Sequence, residues 1–281
     1  MAGGVIFYSW PNGRKSVAGG TRGTIKLDRP WQKDIEINSD NCPFCKEGDK
    51  ENTICDFPEE GWRLRKNLFT PYPFHRMIIP KNCWPVNDLR TLGGVKQIET
   101  VLKIAKSEID QNPEKKLILN VHIGSLAGQN VEHLHYHLCQ YMFDDNSDFA
   151  VSQTMLRFSE QNSKLIIFEN DDFVLIIGGV KAGQCFILPK NSSRINLDLS
   201  FKLALILADL ITLYNNKFRS VQGLPPDFNL VFLFQSAELK YGLYTPILNH
   251  WGAAENISFY ENCPVTLPWP HEITAEHLKQ K

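Results

Sequence analysis

Between Glu132 and Leu138 histidine returns at every second position, as His133, His135 and His137, with Leu134, Tyr136 and Leu138 alternating around them. No other feature restricts the fold so much. A strand turns successive residues to opposite faces. The three imidazoles then share one face and the apolar residues the other. Such a strand calls for a sheet with an apolar layer on one side and a chemically occupied face on the other, because imidazole nitrogens are costly to bury without partners. The whole chain has 8 histidines, and three of them fall within this short stretch, which favours chemistry over a scatter of surface polar residues. Imidazole near its ordinary pKa serves as base, nucleophile or metal ligand.

The flanking sequence supplies the sheet. Trp62-Arg63-Leu64-Arg65 alternates, His75 to Cys83 reads as a buried strand closed by Pro80, and Lys116 to Gly124 reads as another. Between them, Leu92, Val95, Ile98, Leu102 and Ala105 recur at helical spacing from Asp88 until Asn112-Pro113 breaks the pattern. From Lys164 the order restarts. Met77-Ile78-Ile79-Pro80-Lys81-Asn82-Cys83 is echoed by Phe186-Ile187-Leu188-Pro189-Lys190-Asn191-Ser192, and Asn67-Leu68-Phe69 more loosely by Asn170-Asp171-Asp172-Phe173. A helix over Phe201 to Tyr214 and a strand over Phe228 to Phe234 follow the second copy. The expected fold class is α+β, with two tandem units over 1–150 and 151–281 and a junction within 144–162. Where the first unit has its histidines the second has Pro246-Ile247-Leu248-Asn249-His250, so only the first is expected to keep the chemistry.

Charge narrows the function classes. Lys+Arg 30 against Asp+Glu 31 leave a net charge of -1, so no global field draws nucleic acid or an anionic membrane, and any anionic ligand must be held locally. No stretch has the apolar length of a membrane span, and the start of the chain lacks a basic segment followed by a long apolar run, so a cytoplasmic protein is expected. The 7 cysteines are odd in number and scattered, which does not suit a disulfide framework. Cys42-Pro43-Phe44-Cys45 is different, because a two-residue spacer lets both sulfurs turn toward one ion, as in a zinc knuckle. A redox pair is the alternative reading, but the strand and helix context of thioredoxin-like motifs does not surround it.

Together, Gly128-Gln129 followed by His133, His135 and His137 resembles the histidine-triad motif. The two-copy layout, Cys42-x-x-Cys45, and Arg29-Pro30-Trp31-Gln32 resemble the galactose-1-phosphate uridylyltransferase branch of that superfamily. The resemblance implies a half-barrel of antiparallel strands flanked by helices, commonly a homodimer. It implies that His135 is the nucleophile taking up a nucleoside monophosphate. It implies Zn2+ at Cys42, Cys45 and His133, with Cys83 at the position usually held by a histidine, and Cys139 as the alternative fourth ligand. The implied reaction moves UMP between a UDP-sugar and a sugar 1-phosphate. The chain departs from the branch at His137, where uridylyltransferases have Gln and hydrolytic relatives have His, and at His122-Ile123-Gly124, where Asn-x-Gly is usual. The cluster that holds a second metal in some relatives has no counterpart in spacing. A dinucleoside polyphosphate phosphorylase or hydrolase is therefore the alternative enzyme, and a catalytically silent zinc- and nucleotide-binding protein the alternative outside enzymes.

A neutral imidazole suits attack on an anionic phosphoryl centre, and it leaves readily from the resulting phosphoramidate. His135 then needs its far nitrogen held, by a backbone carbonyl or an equivalent acceptor, while His137, Gln129 and Asn130 would stabilise phosphoryl oxygens. By position, Arg29, Asn67 and Lys81 are candidate phosphate or ribose contacts. Phe69, Tyr72 and Phe74 are candidates to pack a base, or else core and loop anchors.

Overall fold

Leu117, Leu119, Val121 and Ile123 are buried while Ile118, Asn120 and His122 between them are half-buried, a period of two that a strand covered by helices on one side requires. The computed structural model describes residues 6–9, 15–18, 42, 44–45, 52–67, 70, 72–82, 94–124, 127–129, 131, 133–141, 155–178, 183–191, 197–218, 226–248 and 271–279. In chain order its elements are β1 Ile6–Ser9, β2 Lys15–Ala18, β3 Thr53–Phe57, β4 Trp62–Lys66, β5 His75–Pro80, α1 Val95–Gln111, β6 Leu117–Ile123 and β7 Tyr136–Gln140. Then come α2 over 155–161, β8 Ile166–Glu169, β9 Phe173–Ile177, β10 Cys185–Pro189, α3 Leu197–Lys217, β11 Phe228–Gln235, β12 Glu238–Pro246 and α4 His271–Lys279. The strands expected at Trp62, His75, Leu117 and Phe228 and the helices at Val95 and Phe201 are all present.

β1 and β2 form a separate hairpin; the other ten strands join one sheet in the order β3-β4-β5-β7-β6-β11-β12-β10-β9-β8, every pair antiparallel. Each half of that order runs outer hairpin, third strand, fifth-made strand, fourth-made strand, and the halves meet where β6 pairs with β11 from Ile123↔Phe228 to Leu117↔Phe234. β5 lies between β4 and β7, and β10 between β9 and β12. Lys81 N–H donates to Gly61 O at 2.9 Å and Lys190 N–H to Asp172 O at 2.9 Å, so the two Pro-Lys strand ends are tied to the preceding hairpin in the same way. The looser echo fails. Asn67 follows β4, whereas Asn170 sits in the turn between β8 and β9, because the shared asparagine serves a strand exit in one place and a side-chain-capped turn in the other.

One face of the sheet makes the core. Ile98, Val101, Leu102, Ala105 and Ile109 of α1 and Leu203, Ala204, Leu207, Leu210 and Ile211 of α3 pack on Leu119, Val121, Tyr136, Leu138, Leu230 and Phe232. α1 stops at Asn112, since the residue before a proline is pushed out of the helical region, and the Asn112 side chain donates to Glu108 O at 2.8 Å. Arg76 pins α1 to β5 through Glu108 at 3.2 Å, its guanidinium lying 4.3 Å from the Phe74 ring centre. The pairing register turns His75, Met77, His137, Asn120, His122 and Asn229 to the opposite face. No helix among the described residues is long and apolar enough to cross a membrane.

Candidate active site and metal cluster

β6 is followed at once by Gly124, whose φ of +88° is left-handed, and a Cβ there would fall 2.0 Å from the Asp227 carboxylate. Only glycine turns the chain here without strain. The loop is closed by Gln129, whose N–H donates to Gly124 O at 3.2 Å, whose side-chain oxygen accepts from Gly124 N–H at 2.8 Å, and whose amide nitrogen donates to Val131 O at 3.0 Å. β7 begins only at Tyr136. His133 and His135 therefore lie on the approach to the strand rather than inside it, which frees the His133 carbonyl from the ladder. His133 and His135 are 1% and 4% exposed.

That carbonyl decides the chemistry of the next histidine. His135 Nδ1 lies 2.7 Å from His133 O, and a carbonyl only accepts, so Nδ1 carries the hydrogen and the Nε2 lone pair is left available. Burial lowers the proton affinity of His135 and keeps that lone pair unprotonated near neutral pH. The same logic fixes His133: Nε2 donates to Pro80 O at 2.9 Å, leaving Nδ1 bare. Nδ1 faces Cys42 Sγ at 3.2 Å and Cys45 Sγ at 3.4 Å. Among the described residues Cys42, Cys45 and His133 alone converge in this manner. Two soft thiolates and a neutral imidazole, anchored from behind by a carbonyl, fit a transition metal ion. Phe44, between the two cysteines, packs 5.5 Å from the His133 ring centre and 5.3 Å from that of His135.

His137 sits at the middle of the imidazole group, its ring centre 5.0 Å from His135, 5.0 Å from His75 and 6.2 Å from His122. Tyr72 N–H donates to Thr70 Oγ1 at 3.1 Å, Thr70 Oγ1 lies 2.6 Å from His75 Nδ1, and His75 Nε2 lies 2.9 Å from His137 Nδ1. Two proton orders satisfy these contacts: with Thr70 donating to His75 and His75 to His137, the His137 hydrogen is on Nε2, where it can meet an anion; with His75 donating to Thr70, His75 Nε2 accepts from His137 Nδ1 and from the Asn67 amide nitrogen at 3.2 Å. Burial, and then Arg76, bring His75 down to about 4, so it stays neutral.

No protein-family model matches the chain, and no curated protein sequence does either. Solved structures do. A GalT-like protein from Arabidopsis thaliana superposes with a TM-score of 0.61 at 18% identity, covering 85% of this chain and 91% of that one. An ADP-glucose phosphorylase from Arabidopsis thaliana gives 0.64 at 15% identity, covering 89% and 92%. A uridylyltransferase mutant gives 0.59 at 15% identity, covering 85% and 90%. The fold is the one these GalT-like, phosphorylase and uridylyltransferase structures share.

Within this uridylyltransferase-like fold the residues singled out from sequence divide into three groups. His133, His135, His137, Cys42 and Cys45 are brought together, and Asn67 joins them through a 3.2 Å contact to His75. Lys81 and Gln129 are engaged elsewhere, Lys81 with Asp56 at 3.7 Å on the outer strands and Gln129 with the loop backbone. Cys139 stands opposite His75 in the ladder, outside the Cys42, Cys45 and His133 group, and burial pushes its thiol up to about 12. Tyr72 packs against His75 at 5.7 Å, and Phe74 is a core anchor. Arg29, Phe69, Cys83 and Asn130 lie outside the described residues. His75 and Phe44 join the site without having been expected there.

Proposed function

We propose that the protein is a nucleotidyltransferase acting through a covalent nucleotidyl-His135 intermediate, passing UMP from a UDP-sugar to a sugar 1-phosphate. The observation that carries the reading is the His135 Nδ1 hydrogen bond to the His133 carbonyl, which leaves a buried, neutral Nε2 beside the His137 ring. In the first step Nε2 attacks the α-phosphorus, the bond to the leaving phosphate breaks, and the ring charge that develops is spread onto Nδ1–H against the carbonyl. His137 Nε2–H donates to a phosphoryl oxygen as negative charge grows there. In the second step the acceptor phosphate attacks and His135 leaves as neutral imidazole. Cys42, Cys45 and His133 would hold Zn2+, which supplies a structural crosslink between the knuckle and the approach to β7. Arg29, Asn67 and Lys81 are kept as candidate substrate contacts, with Asn67 the one whose place against His75 favours it.

A second reading has support in His137 itself. With imidazole rather than an amide at this position, orthophosphate or water as acceptor and an ADP-sugar or dinucleoside polyphosphate as donor give a phosphorylase or hydrolase using the same His135 step. The mirrored strand order supports reading 1–150 as a histidine-triad unit and 151–281 as a degenerate copy; a homodimer is the assembly we propose.

The test is incubation with α-labelled UDP-glucose, ADP-glucose and diadenosine tetraphosphate. One donor should leave an acid-labile, base-stable label, and His135→Ala should abolish it with metal content and melting temperature nearly unchanged. Normal labelling of His135→Ala would sink the mechanism.

A further inference from the structure

His122 has no part in the two steps above, yet it is built into the same face. It stands on β6 directly opposite Asn229 of β11, and its Nδ1 lies 2.5 Å from Asn229 Oδ1. An amide oxygen accepts, so Nδ1 carries the hydrogen and the lone pair of His122 is on Nε2. That lone pair meets the Asn120 amide nitrogen at 3.3 Å, a long contact. The oxygen of the same amide is buried and has no hydrogen-bond partner. Both neighbours are neutral amides, and together they hold the ring in place. If Nε2 gains a proton, a half-turn of the Asn120 amide gives that proton an acceptor and relieves the unpartnered oxygen, whose burial otherwise costs about 1–3 kcal/mol. Among the described residues, the titratable group packed against His122 is His137, with His135 behind it; Asp227 lies just before β11 against Gly124, two residues further along the chain.

We infer that His122, oriented by Asn229, is the general base for acceptors that attack through a hydroxyl, water being the simplest. The inference rests on the nucleotidyl-His135 reading and names the group that decides which acceptors discharge it. The acceptor oxygen forms a bond to the phosphorus while its O–H bond breaks and the proton passes to His122 Nε2. The phosphorus–nitrogen bond breaks and its electron pair returns to His135 Nε2. An acceptor with no proton to lose, such as fluoride, needs no such base. The C-terminal half, with no histidine of its own at the face among the described residues, then contributes a positioning residue in Asn229.

The experiment separates the half-reactions on the full-length chain. Labelled nucleotidyl-enzyme, formed with whichever of UDP-glucose, ADP-glucose or diadenosine tetraphosphate reacts, is isolated and chased with water alone or with fluoride. His122→Asn should form the adduct within about threefold of the parent rate and release it to fluoride normally. Its release to water should be slower by on the order of 100-fold or more, the usual size of a general-base contribution. Asn229→Leu should slow release to water in the same sense, and Asn229→Asp, which keeps the accepting oxygen, should restore it. Release to water at the parent rate in His122→Asn overturns the inference, as does equal slowing with water and fluoride, which would mark His122 as merely structural. Failure of the parent chain to form any adduct overturns the nucleotidyl-His135 reading and this one with it. An adduct in the parent together with unchanged discharge in the variant overturns this one alone.

Discussion

His75 is neutral in the folded protein, brought from an ordinary 6.5 to about 4 by burial and by Arg76. A histidine depressed in this way stabilises the fold above its unfolded pKa, and that contribution is lost as pH falls from about 6.5 toward 4. The melting temperature should therefore drop across that window. In His75→Gln, which keeps a donor toward His137, the pH dependence should flatten by up to about 3 kcal/mol, as denaturant titrations at the two ends of the window would show. An unchanged slope would mean that His75 is protonated in the native state. At this scale the sequence carries the cluster of His133, His135 and His137 because the alternation is visible within a few consecutive residues, although only His137 proves to lie in the strand itself. It does not carry His75, which reaches His137 from a segment 62 residues away, or Phe44, whose contact with His135 depends on how the knuckle docks. Gln129 was legible as a polar residue of the site loop, and its role in stapling the loop was not, since its partners are backbone atoms without a residue type.

The turn after β6 holds the element that delivers the histidines. Gly124→Ala should cost about 1–3 kcal/mol from the left-handed backbone alone, plus the displacement of Asp227, whose carboxylate occupies the place of the new methyl. Gly128 shares the left-handed backbone at φ +91° but meets nothing among the described residues where its Cβ would fall, so Gly128→Ala isolates the backbone part. Urea denaturation of the two variants should show Gly124→Ala as the less stable; equal losses would remove Asp227 from the explanation. The strands and both long helices were readable because each repeats its apolar residues at its own period, as Leu117 to Ile123 and Ile98 to Ile109 show. Their order in the sheet was not. A period of two says that a strand has a buried face without saying which strand lies beside it, so the β5-β7-β6-β11 sequence of neighbours appears only in three dimensions.

For the molecule as a whole, metal and fold are expected to be linked. Protein purified without chelator should contain about one zinc per chain, and Cys42→Ser should lose the metal and several degrees of melting temperature together, because the binding energy of a structural site is folding energy. Metal analysis that finds none would remove zinc from the fold. The seam between β6 and β11 has a consequence during synthesis. β6 leaves the ribosome about a hundred residues before β11 is complete to pair with it, a wait of roughly 5–20 s at 5–20 residues per second. Through that interval the strand next to the histidines presents an open hydrogen-bonding edge. The nascent chain thus has its most adhesive surface exposed while its own partner strand is still being translated, which makes the passage through the second half the time when a chaperone matters most.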